Sequence, residues 1–347
     1  METQNREPVA RTTGLKVIHP FQLLFLLLAL PSCTLAQAWL SPQGEGTVGL
    51  FYQYSFDRLH SFSDGRTKDR GHTFFDSVLL DTDFSLTRNL AVQVSVPYVM
   101  GLYLGGAPHQ TIRGNSATSV AIDDGAYHGA LQDYRVNVRY SVSRRELKVV
   151  PFVEGVLPSH SYATFGHAAV GLDLREFRMG VSVGRRLNPI LPKAFMQARY
   201  AFGFSQEAAN VAPKRSYGEM QLGYLFTRKL SLQFAATSIF SHNGIQDDYN
   251  LFPNNLTELQ WLNHDRISKM NLIDLSMTVG YSFNRSTNVV VGVGHTVWGE
   301  NTHLRTAVIT IGVVKAFSTP LAGDRPSKTA FLPEGNRPLV CTCAKSK

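Results

Sequence analysis

Eight charged residues stand where the chain otherwise alternates polar with apolar side chains: Asp133, Arg135, Arg139, Glu176, Arg178, Arg199, Glu219 and Asp274. Arginines and carboxylates in such a setting have two uses. They set the field across a narrow passage, as charged rings do in channels, or they join through parallel hydrogen bonds and fill an enclosed space. Pairing with at most a narrow path is the expectation, with the four arginines near Asp133, Glu176, Glu219 and Asp274. Catalysis has weaker support. Ser241-His242 offers a nucleophile and a base, the pair a lipid hydrolase on a barrel wall would use, but neighbours in a strand point to opposite faces. No orienting carboxylate or amide sits at a matching position. Ser159-His160 follows Pro158 and reads as the start of a loop.

Metal and cofactor chemistry find no purchase in the sequence. His109, His128, His160 and His167 are too loosely spaced for a ligand set, and Cys341 and Cys343 lack the further ligands that zinc needs. No phosphate loop or dinucleotide fingerprint is present. No cofactor and no catalytic residue are therefore expected.

The elements that must carry the charged residues have period two. In 133–142, Tyr134, Val136, Val138 and Tyr140 face one way, and Asp133, Arg135, Asn137 and Arg139 the other. In 176–184, Phe177, Met179, Val181 and Val183 oppose Glu176, Arg178, Gly180 and Ser182. Similar alternation covers 90–98, 217–226 and 273–283, and about twelve such segments lie between Gly46 and Phe317. Four short connectors look alike, over 84–90, 142–147, 225–230 and 283–288, each with a polar, arginine-bearing turn. Between them lie longer polar loops near 58–72, 101–130, 158–172, 205–215 and 241–270. Short turns alternating with long loops are the rhythm of an up-and-down barrel.

Composition favours lipid outside that barrel over a soluble sandwich. Charged residues are 17% of the 347, against about 25% in soluble globular proteins. Mean hydropathy is only −0.09, too low for a bundle of transmembrane helices. Strands of about ten residues suffice to cross a bilayer when tilted. Aromatic residues near strand ends (Phe84, Tyr98, Phe226, Phe283, Phe317) suit interfacial girdles. Residues 21–30, FQLLFLLLAL, have the length of a signal-peptide apolar region, and Ala36-Gln37-Ala38 reads as its cleavage site. The division is thus 1–38 export signal, 39–317 barrel, and 318–347 disordered basic tail. Of the net +8, three Lys+Arg against two Asp+Glu precede residue 39 and five against two follow 317, leaving +4 for the barrel. That balance is too mild and dispersed for nucleic acid, and suits anionic lipid and lipopolysaccharide.

The stretches Asp124–Arg135 and Phe165–Arg178, with Val183-Gly184-Arg185-Arg186-Leu187 and Gln197-Ala198-Arg199-Tyr200, resemble the transporter-like Gram-negative outer-membrane barrels grouped with the phenol meta-pathway. The resemblance covers roughly 39–317. It implies an outer-membrane location and passage of small solutes, hydrophobic or aromatic ones included, without identifying any. The strand Thr306–Phe317 resembles the aromatic-terminated closing strand read by the barrel assembly machinery. The expectation is an all-β, antiparallel transmembrane barrel of about 12 strands, acting as a passive channel. The alternatives are a plugged scaffold barrel and a barrel-wall lipid hydrolase.

Overall fold

Two of the short connectors reverse the chain by one device. The Thr87 hydroxyl accepts from the amides of Asn89 (3.2 Å) and Leu90 (3.0 Å), and Thr227 does the same for Lys229 (3.1 Å) and Leu230 (3.0 Å). At the next such turn Asn284 Oδ1 takes the Ser286 amide at 2.9 Å. Side-chain caps of this kind mimic a backbone turn and fix where each strand begins.

The computed structural model describes residues 38–106, 122–143 and 146–322. Most of the expected export signal, His109, Cys341 and Cys343 lie outside the described residues. The strands are β1 (Glu45–Ser61), β2 (Thr67–Ser85), β3 (Leu90–Leu104), β4 (His128–Leu131), β5 (Tyr134–Tyr140), β6 (Lys148–Leu157), β7 (Glu176–Arg186), β8 (Ala194–Ser205), β9 (Lys214–Leu225), β10 (Leu230–Ser241), β11 (Asn271–Ser282), β12 (Thr287–Glu300) and β13 (Thr302–Ser318). Sequential strands pair antiparallel, and β1 pairs with both β2 and β13, so the sheet closes on itself. Both β4 and β5 pair with β3. They are one wall position interrupted at 132–133, and the barrel has twelve strands.

Two corrections to the loop pattern follow. The segment 58–72 is the top of a hairpin rather than a long loop: Leu59 pairs with Asp69 and Ser61 with Thr67. At the same end β12 and β13 are joined through Asn301 alone, held at φ 49°. Its side chain accepts from the Asp247 amide and donates to the Lys269 carbonyl, both at 3.0 Å. That ties the hairpin tip to the loop 242–270, which carries α1 (Glu258–Trp261) and α2 (His264–Ile267).

The apolar band turns outward. Leu50, Met179, Met220 and Ile311 are about half exposed, as the wall of a barrel in lipid requires. The buried apolar groups sit elsewhere. Ile245, Leu256, Trp261 and Ile267 form a small core within the long loops, backed by Phe165 and Phe252. A second cluster of Phe51, Val290 and Val314 fills the lumen towards the short turns. The Phe51 ring lies over Gly312, where any Cβ would overlap it. Replacing Gly312 with Leu must expel that ring, and overpacking of this kind costs about 1–3 kcal/mol. The expected result is a lower thermal midpoint, read from loss of the compact band of unheated protein on a gel.

Candidate functional site

Closure of the sheet leaves each strand one face for lipid and one for the lumen, and the charged residues take the lumen side. On β6 the inward residues are Val150, Phe152, Glu154 and Val156; on β7, Glu176 and Arg178; on β8, Arg199. Glu154 stands in register with Arg178 on one side and Asn137 on the other. Its Oε1 pairs with Arg178 Nη1 at 2.8 Å and its Oε2 with Arg199 Nη2 at 2.9 Å. Asn137 Nδ2 donates to Oε2 at 3.2 Å. Arg178 also pairs with Glu176 at 3.0 Å, and Tyr217 OH donates to the other Glu176 oxygen at 2.7 Å. Arg178 lies 4.0 Å over the Tyr217 ring and Arg199 4.0 Å over Phe152. This network is nearly dry, its Glu154 side chain only 8% exposed.

The sequence-derived residues divide as follows. Glu176, Arg178 and Arg199 join this network. Arg139 is buried and pairs with Asp83 instead. Asp274 pairs with Arg305 and accepts from Thr296 at 2.6 Å. Glu219 accepts from Gln221, and Asp133 accepts from Tyr162. Arg135 reaches into the lumen and has no ion pair or hydrogen bond among the described residues. Of the four expected acids, Glu176 forms an ion pair with one of these arginines and Glu219 stands in register with Arg199, while Asp133 and Asp274 are held by other partners. The principal acids are Glu154 and Asp83. Glu154 could have been found as the lone charge in the apolar stretch 149–157, where lipid would not accept it. Arg305 sits beside irregularities in strand pairing at 56–59 and 273–274, which re-aim side chains and break the parity a sequence reader follows.

Two cavities of about 240 and 460 Å³ lie along the axis and share Gln53, Arg135, Ile239, Leu272 and Arg305 in their walls. Together they fall within the range of roughly 300–1,000 Å³ typical of small-molecule sites. The long-loop mouth is narrowed by 158–175. Asp123 accepts from the amides of His167 and Ala168, both at 3.0 Å. Tyr103 stacks on His167 at 4.5 Å, Gln132 donates to the Val170 carbonyl, and Arg266 donates to the carbonyls of Leu172 (2.8 Å) and Asp173 (2.7 Å). Burial, followed by its bond to Asp133, pushes the Tyr162 hydroxyl well above its usual range. At the short-turn mouth the residues before β1 fold inward, which no sequence pattern announced. Ala38 is buried with its amide on Gln197 Oε1 at 3.2 Å. The Trp39 ring meets Phe195 edge-on at 5.7 Å. The bare Gly184 makes room: a Cβ there would lie 2.6 Å from Ala38 and 2.7 Å from the Trp39 ring.

The Ser241–His242 pair does not form. Ser241 Oγ donates to the Met270 carbonyl at 2.8 Å. His242 Nε2 meets Ser216 Oγ at 2.8 Å, and Tyr200 OH lies 2.9 Å from the same oxygen. No carboxylate or amide reaches the other ring nitrogen among the described residues. His128 bonds Asp124 at 2.8 Å and holds that carboxyl below its usual range, and His160 bonds Ser159 at 2.8 Å. No group of three or more His, Cys, Asp or Glu among the described residues is placed to hold a metal ion.

No protein-family model matches the sequence, and no curated protein does. Solved structures do match in fold. An outer-membrane channel from Pseudomonas putida F1 superposes with a TM-score of 0.62 at 11% identity, over 82% of this chain and 100% of that one. The NanC porin gives 0.46 at 9% identity, over 78% and 98%, and the KdgM porin 0.40 at 10%, over 78% and 99%. The chain has the fold of an outer-membrane barrel.

Glu154 holds two buried guanidinium groups. Its replacement by Gln takes away the carboxylate paired with Arg199 and leaves Arg178 with Glu176 alone, and breaking a buried pair costs about 3–5 kcal/mol. Glu146, 85% exposed and 3.6 Å from Arg185, is the control, since exposed pairs contribute about 0–1 kcal/mol. Thermal unfolding followed by circular dichroism should show a large loss for Glu154→Gln and almost none for Glu146→Gln.

Proposed function

We propose that this chain is a passive outer-membrane channel for small solutes, hydrophobic or aromatic ones included. The observation that carries the reading is the pair of cavities along the axis, lined by charged groups and narrowed at each mouth by a segment of the chain itself. On this reading the short turns face the periplasm and the long loops the outside, the usual asymmetry of such barrels. Residues 1–38 serve as the export signal. Lipid, lipopolysaccharide and the barrel assembly machinery are the partners. Membership of the phenol meta-pathway group belongs to this reading, supported by the stretches at 124–135 and 165–178. The P. putida protein is described as an outer-membrane channel, and the shared fold is compatible with the same activity here.

The inward Trp39 ring, edge-on to Phe195 and over Gly184, favours a second reading, a plugged scaffold. Single-channel recording in a planar bilayer separates the two. A channel gives steady current, with a larger unit conductance in Trp39→Ala. Silence from both folded proteins favours the scaffold. The Ser216–His242 contact defines a third reading, a lipid hydrolase of the wall. If it is a structural contact, Ser216→Ala leaves phospholipid hydrolysis at the background of the wild type; a hydrolytic activity lost in that variant makes the protein an enzyme.

A further inference from the structure

Four arginines line the smaller cavity: Arg135, Arg178, Arg199 and Arg305. Three of them are held by carboxylates at Glu154, Glu176 and Asp274. Arg135 is not. The register explains why. Its neighbours across the ladder are Ser95 on β3 and Val156 on β6, both without charge. Asp133, one inward step along its own chain, accepts from Tyr162. The Arg135 side chain is exposed to the cavity rather than packed into the wall. A guanidinium fixed at the edge of an enclosed space, with its donors unused, is set to take a carboxylate through two parallel hydrogen bonds.

The opposite character of the cavity lies on β10, β11 and β13. Ile239 and Leu272 are paired in register and point inward, and Val308 lines the same space. Lumen positions of a barrel are usually polar, so three branched aliphatic side chains facing one free cation are a departure that fits a ligand with two ends. The acids in this cavity are engaged. Asp274 is held by Arg305 and Thr296, and Glu219 accepts from Gln221. A cationic ligand must displace those partners, whereas an anion at Arg135 displaces only water.

We infer that the lumen binds small amphipathic carboxylates, with the head group on Arg135 and the apolar body against Ile239, Leu272 and Val308. The inference rests on the channel reading and names the chemical class of its solute.

The test uses the full chain refolded in detergent micelles and titrated by calorimetry with hexanoate, hexanamide and hexylammonium. Hexanoate should bind most tightly, and Arg135→Gln should weaken it about ten- to a hundredfold, the worth of hydrogen bonds to a charged group, while leaving hexanamide unchanged. Arg135→Lys should restore part of the affinity. Arg135 has no partner to strand, so the variants should keep the compact gel band, and hexanamide binding confirms an intact cavity. Equal binding of hexanoate and hexanamide, tighter binding of hexylammonium, or hexanoate affinity indifferent to Arg135→Gln overturns the inference. Bilayer current separates its failure from that of the channel reading. Current without Arg135-dependent hexanoate binding rejects the ligand class alone, and Arg135-dependent binding without current rejects conduction alone.

Discussion

Every other feature depends on the pairing of β1 with β13. A sheet that meets its own edge leaves no row of backbone amides and carbonyls unpaired, which is the condition for a β-structure to sit in hydrocarbon. Once the ring is closed, each side chain has two choices, outward to lipid or inward to the lumen. Charges go inward because an arginine at the bilayer midplane would cost about 2–4 kcal/mol. Inward charges are then crowded, and crowding in a space with little water forces partners on them. The Glu154 node follows from that sequence of constraints. One carboxylate accepts from two arginines on neighbouring strands, while Tyr217 and Phe152 offer ring faces to the same guanidinium groups.

The fold was readable because period two survives in most strands. Tyr134 to Tyr140 and Phe177 to Val183 alternate cleanly, and a face of Val, Phe and Met opposite Arg and Glu has one stable arrangement in lipid. The recurrent connectors were readable too, since Thr87 and Thr227 place the same hydroxyl at the same step of the turn. The hairpin at 58–72 read as a loop because its ladder is polar outside the membrane. Arg58 donates to Asp69 at 2.7 Å, and charged cross-strand pairs carry no apolar alternation to mark them.

Ion-pair partners were less legible, for a different reason. Alternation assigns a face; it says nothing about which strand lies opposite or at what height. Arg139 finds Asp83 and Asp274 finds Arg305, matches separated by 56 and 31 residues. Glu154 hides in a strand whose inward face is otherwise Val150, Phe152 and Val156, so it shows no polar stripe. Trp39 belongs to no repeating pattern at all. Its placement depends on the absence of a side chain at Gly184, far along the sequence, and single deletions of bulk leave no periodic trace. Arg135 was visible as a charge, but its lack of a partner is a property of Ser95 and Val156 beside it.

The two ends of the barrel chain are fastened at one point. The Gly44 amide donates to the Ser85 carbonyl and the Thr319 amide to the Gly44 carbonyl, both at 2.8 Å, and Phe84 stacks on Phe317 beside them at 5.9 Å. A ring of strands joined this closely has no geometric beginning. A short linker between 44 and 319 would complete the backbone circle, and any of the tight reversals, 226–229 for instance, would serve equally as the place where the chain starts and stops. The seam between β1 and β13 is thus a consequence of the order of synthesis, and the wall is indifferent to where translation opens it.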